Sequence, residues 1–164
     1  MKPFRFVLTV LSLGVIFSFS GCGGKGGGGE TTQDKQFGML STKTWNISSV
    51  FLGGVDQTST WTGFKLVISG TKGSSTFSYN TATGTRPTLG PWPSGGGVGG
   101  LGTWAFGNDP VTNIIRDPGK ADELPMTYAV TATTLTISFP YSGAGYGPNQ
   151  RTGNIGGNWV FTFN

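Results

Sequence analysis

Residues 126–139 read MTYAVTATTLTISF, and this stretch decides the fold. Met126, Tyr128 and Val130 alternate with Thr127, Ala129 and Thr131; then Leu135, Ile137 and Phe139 alternate with Thr134, Thr136 and Ser138. A period of two over several residues marks strands with one face in a core. Ala132-Thr133 between them allows a tight connection, so the stretch predicts an antiparallel hairpin.

The same period recurs outward in both directions. Phe64, Leu66 and Ile68 alternate with Lys65, Val67 and Ser69, and near the C-terminus Trp159, Phe161 and Phe163 alternate with Val160 and Thr162. Shorter candidates are residues 44–51, 76–80, 103–107 and 112–116, which brings the expectation to about eight strands. Residues 69–73, SGTKG, and 117–120, DPGK, have turn chemistry. Residues 55–61 are the one place where a short helical turn is expected, with Asp56 as its cap.

Composition agrees with an all-β domain. Glycine accounts for 30 of 164 residues, charged residues for only 11%, and the Thr, Val, Ile and aromatic content favours strands over long amphipathic helices. Eight mostly sequential antiparallel strands without crossover helices close most simply into an up-and-down barrel, which removes exposed edges. A two-layer β-sandwich is the alternative architecture.

The N-terminal region reads separately. Lys2 and Arg5 precede an apolar run over residues 6–19 that ends in Ser20 and Gly21, the layout of a secretory signal. The run falls short of the about 20 residues that a spanning helix needs. Phe19-Ser20-Gly21-Cys22 resembles the bacterial lipobox, and that resemblance implies cleavage before Cys22 and acylation of the chain's single cysteine. More than one acyl chain at one point makes attachment stable. Residues 1–21 are thus expected to be a signal peptide and 22–36, rich in glycine and polar residues, a flexible tether. A tether of roughly 14 residues has a root-mean-square reach of about 20 Å. Residues 37–164 are expected to form the folded domain. Gly23-Gly24 lacks the Asp that marks inner-membrane retention in lipoproteins, which implies the outer membrane and leaves the leaflet open.

A second resemblance spans the domain. Residues 40–50 (LSTKTWNISSV), 54–58 (GVDQT), 102–106 (GTWAF), 115–117 (IRD) and 156–163 (GGNWVFTF), in that order, are similar to the small lipocalin-like lipoproteins of Bacteroidota. What this implies is a lipid-anchored barrel without assigned activity.

Residue types exclude several chemistries. The chain has no His, and acylation would occupy its only Cys, which removes the usual Ser-His-Asp and Cys-His nucleophiles and His/Cys metal sites. No cofactor is expected. Seven carboxylates remain, Glu30, Asp34, Asp56, Asp109, Asp117, Asp122 and Glu123, and they are read as turn and solubility residues rather than a facing catalytic pair. Residues 95–100 satisfy G-x-G-x-x-G formally, but no strand precedes them and no helix follows, so they are read as a loop. Loss of Lys2 and Arg5 with the signal leaves nine basic against seven acidic side chains, scattered singly. That balance offers no basic stripe for nucleic acid.

Aromatic residues supply the binding candidates. Trp45, Phe64, Trp104, Phe106, Trp159 and Phe161 lie at strand positions and are assigned to the core. Trp61, Trp92 and Tyr146 fall outside clear strands, where loops carry binding residues, with Arg86, Arg116 and Arg151 as polar partners. The competing reading for Trp92, clamped between Pro91 and Pro93, is a plug at the barrel end. The favoured expectation is therefore a non-catalytic lipid-anchored envelope protein that binds a small apolar or glycan-like ligand at the barrel mouth. The alternative is a structural or protein-interaction module of the outer membrane with a filled barrel, and a carboxylate-dependent enzyme is the third reading.

Overall fold

The computed structural model describes residues 29–81, 90–92, 100–142 and 155–164. A short helix, α1 (Thr32–Leu40), precedes nine strands. These are β1 (Trp45–Leu52), β2 (Val55–Asp56), β3 (Lys65–Ser69), β4 (Phe77–Asn80), β5 (Leu101–Phe106), β6 (Asn113–Arg116), β7 (Leu124–Val130), β8 (Leu135–Tyr141) and β9 (Gly157–Phe163). All pairings are antiparallel, and apart from β2 each strand pairs with its neighbours in chain order.

Closure comes from β1 against β9, from Ile47↔Phe163 to Leu52↔Trp159, with a register shift between Ile47 and Ser49. The result is an eight-stranded up-and-down barrel with β2 as an extra strand on β1, and the sandwich alternative falls away. Both halves of the 126–139 stretch form the expected hairpin, paired from Val130↔Leu135 to Thr127↔Ser138. Along β8 buried and part-exposed residues alternate as the period required.

The inward residues fill the barrel with aromatic rings. Trp45, Phe64, Trp104, Trp159 and Phe161 are buried as expected, while Phe106 is only half-buried and packs on the rim of this cluster. Phe161 lies at the centre, edge-on to Trp61 at 4.8 Å and stacked on Phe139 at 5.9 Å between ring centroids. Each such pair adds about 0.5–1.5 kcal/mol beyond the area it buries.

The helix corrects the expected domain boundary. The sequence places residues 22–36 in the tether because they offer nothing to bury, yet α1 begins at Thr32. The Thr31 hydroxyl accepts from the Asp34 N–H at 3.0 Å, the N-cap arrangement that satisfies an otherwise orphaned donor. Polar bonds then fasten the first turn to the β3–β4 loop: the Gly73 N–H donates to Asp34 at 2.7 Å and the Gln33 amide donates to the Ser74 carbonyl at 2.9 Å. Lys72 pairs with Glu30 beside them. The folded unit thus begins near residue 30. Residues 1–28, on which the expected signal peptide and the candidate Cys22 fall, lie outside the described residues.

The end-on position of α1 closes one mouth of the barrel. Phe37 stacks on Phe77 at 4.5 Å, Phe77 on Trp104 at 4.6 Å, and Leu40 is fully buried. Leu40 also accepts the Trp45 indole N–H at 2.7 Å, which ties the helix to the first barrel strand.

Candidate functional site

The opposite end of the barrel carries the β4–β5, β6–β7 and β8–β9 connections, and the described candidates gather there. Trp61 ends the 3₁₀ turn Thr58–Trp61, which is shorter than the expected 55–61 and has Gln57, not Asp56, at its N-cap; Asp56 ends β2 and accepts the Thr58 N–H at 2.7 Å. The ring does not face solvent. It is 1% exposed, edge-on to Phe64, Trp159 and Phe161. Trp92 is 3% exposed and lies among Phe64, Tyr79, Phe139 and Phe161, with centroids about 6 Å away.

Trp61, expected as loop contact surface, is instead core, and the burial of Trp92 agrees with its plug reading rather than with its reading as ligand contact. The contact that holds Pro91-Trp92 against the barrel is long-range: the Arg116 guanidinium, itself 2% exposed at the end of β6, donates to the Pro91 carbonyl at 2.6 Å. The guanidinium also lies 5.7 Å from the centre of the Trp92 ring, within cation–π range. Arg116 therefore holds the plug rather than a ligand. Tyr146, Arg151 and Arg86 lie outside the described residues.

Arg116 in turn rests on a buried carboxylate that sequence reading assigned only to a turn. Asp117 is 3% exposed, and its Oδ2 lies 3.5 Å from Arg116 Nε. The Thr103 N–H and Lys120 Nζ reach Oδ1 at 3.0 and 3.1 Å, and the Tyr79 hydroxyl donates to Oδ2 at 2.8 Å. Burial alone would raise the Asp117 pKa, but the Thr103 N–H, the Tyr79 hydroxyl and Lys120 outweigh it, and the carboxyl titrates below its ordinary value. Its backbone sits at φ 51°, a left-handed conformation that Asp tolerates better than most residues. The signal that could have found this cluster was weak: two opposite charges, Arg116 and Asp117, placed side by side where a strand ends.

Between the two ends, buried side chains of the described residues leave a small cavity. Leu40 from the helix end and Trp92 from the loop end line the same cavity, about 20 Å³ in volume, together with Tyr79, Trp104 and Arg116. One water requires about 10–15 Å³ by this measure, so the space is water-sized and excludes a drug-sized ligand. The indole N–H groups of Trp92 and Trp104 are buried without an acceptor among the described residues.

The other carboxylates have local work. Asp109 accepts from the Val111 N–H at 2.9 Å and the Thr112 hydroxyl at 2.7 Å, and Glu123 accepts the Gly119 N–H at 2.6 Å. Hydrogen bonds of this kind hold the Asp34, Asp56 and Asp109 carboxyls below their ordinary values. No group of three or more potential metal ligands forms among the described residues. Comparison with protein-family models, curated proteins and solved structures finds no match.

Proposed function

We propose that this chain is a non-catalytic envelope module: a barrel filled by its own side chains, tethered to the bacterial outer membrane through lipid on Cys22, and acting through its outer surface. One observation carries the choice between the two leading expectations. Leu40 and Trp92, inserted from opposite ends, reach the same water-sized space, so a filled barrel is better supported than a small ligand held at the mouth. The likeness to lipocalin-like lipoproteins of Bacteroidota is part of the same reading, with the barrel in place of an internal transport site.

Two measurements test it on the full chain in its own host. Cys22→Ala is expected to move the protein from the membrane fraction to the soluble fraction, or to leave it uncleaved. A variant that stays both cleaved and fully anchored would remove the lipid from the proposal. Native mass spectrometry of the protein extracted from membranes is expected to show no small molecule retained beyond the acyl chains. A stoichiometric bound mass that survives gentle activation would restore the ligand-carrier reading.

A further inference from the structure

The outer wall of the barrel opens where β7 and β8 part. Their pairing stops at Thr127↔Ser138, although β7 runs back to Leu124 and β8 on to Tyr141. In that register Met126 would face Phe139, and the pair after it would set Pro125 opposite Pro140. The Tyr128 N–H donates to the Thr112 carbonyl at 2.8 Å on the β6 side, so by strand alternation the odd-numbered residues of β7 turn their backbone groups toward β8. Pro125 and Pro140 would therefore form a hydrogen-bonded pair, and each lacks the N–H such a pair exchanges. The ladder ends, and two carbonyls point into the opening without a facing strand donor. Both banks stay fixed, because β7 remains paired with β6 through Leu124 and β8 with β9 through Tyr141.

A groove of about 400 Å³ covers this opening and crosses from β6 to β9. Its polar side chains are Asn113, Thr127, Ser138 and Asn158, its outward apolar groups include the Pro125 and Pro140 rings, and no charged residue lines it. The volume falls within the about 300–1,000 Å³ of small-molecule sites. The lining selects among occupants. Without charge it gains nothing from an anion or a cation, and a purely apolar ligand would leave amides and hydroxyls unpaired, at a cost in desolvation. An extended peptide adding a strand needs alternating N–H and C=O groups along an edge, which the two prolines deny. What matches is a molecule with many hydroxyl donors, able also to accept from amides, and with C–H faces to lay on proline rings.

We propose that this groove binds a neutral oligosaccharide, with the Pro125 and Pro140 carbonyls accepting sugar hydroxyls and the Asn113 and Asn158 amides fixing orientation. The site goes beyond the filled-barrel reading and does not depend on the lipid anchor. Its test is a titration of the isotope-labelled full chain, in detergent micelles, with cellobiose, maltotriose and diacetylchitobiose, followed by amide NMR. The expected result is saturable shifts in the millimolar range or tighter for at least one of the three, confined to Thr127, Ser138, Asn158 and their neighbours. Asn158→Ala, an exposed change, is expected to weaken binding about tenfold. Pro125→Ala/Pro140→Ala restores both N–H groups and is expected to zip the ladder shut, which abolishes binding and protects the new amides from hydrogen exchange. No saturable shift with any of the three sugars, shifts centred elsewhere on the barrel, or binding unchanged in both variants would each overturn the proposal. Should the double proline variant fail to fold, Asn113→Ala joins Asn158→Ala as the second reading. These outcomes concern the outer wall only: a retained mass that Asn158→Ala removes belongs to the groove and one that survives that substitution belongs to the interior, so failure here is distinguishable from failure of the filled-barrel reading.

Discussion

The Tyr79 ring occupies the space where a β-carbon on residue 102 would stand. A β-carbon built on Gly102, its cross-strand partner between β4 and β5, comes within 2.4 Å of Cε1, Cζ and Oη of that ring. The same hydroxyl donates to Asp117, so the absence of one side chain on β5 lets the buried ionic cluster form.

Gly102→Ala is accordingly expected to push Tyr79 off Asp117 and to destabilise the fold by about 1–3 kcal/mol, the usual range for overpacking. Chemical denaturation measures the loss. Adding Tyr79→Phe should then cost little more, since its hydrogen bond would already be broken; fully additive losses would show that the two residues act separately.

Asp117 makes stability depend on pH with a definite sign. Its carboxyl titrates below the ordinary value in the folded protein, so its contribution is present above the unfolded pKa, about 3.9, and is lost as pH falls through the folded value. Asp117→Asn leaves the Arg116 guanidinium without that charge and is expected to cost about 3 kcal/mol near neutral pH. The gap between wild type and variant should narrow as the pH is lowered below about 4. A gap that stays constant down to acid unfolding would mean that the carboxylate's charge is not its source.

Trp92 is expected to behave as core. Trp92→Ala should cost about 3–5 kcal/mol and leave a void walled by the Phe64, Phe139 and Phe161 rings, with Arg116 at its edge. Its ring-walled part is apolar, and apolar voids take up benzene. Benzene is therefore expected to raise the thermal midpoint of the variant and not that of the wild type. A loss below about 1 kcal/mol would return Trp92 to the surface.

Much of the architecture was legible in the chain because strand burial is a local pattern. Residues 64–68, 126–130, 135–139 and 159–163 alternate with period two, and each lies in or beside a strand whose apolar residues turn inward. The turn at 117–120 was legible because its chemistry acts on backbone three residues away, whereas the cap expected at Asp56 falls on Gln57, one residue later. Helix α1 was missed because its anchors, Asp34 on Gly73, Gln33 on Ser74 and Phe37 on Phe77, reach about forty residues along the chain.

Sequence by itself thus determined the all-β class, the strand positions, the candidate acylated cysteine and the lack of histidine chemistry, all of which are properties of residue type and near-neighbour spacing. Only tertiary structure decided that Trp61, Trp92 and Arg116 face inward, that Asp117 is buried, and that Pro125 meets Pro140 across a gap in the wall. Those outcomes depend on which residues become neighbours when β1 closes on β9, and burial, pairing and pKa are set by such neighbours rather than by the chain's own order.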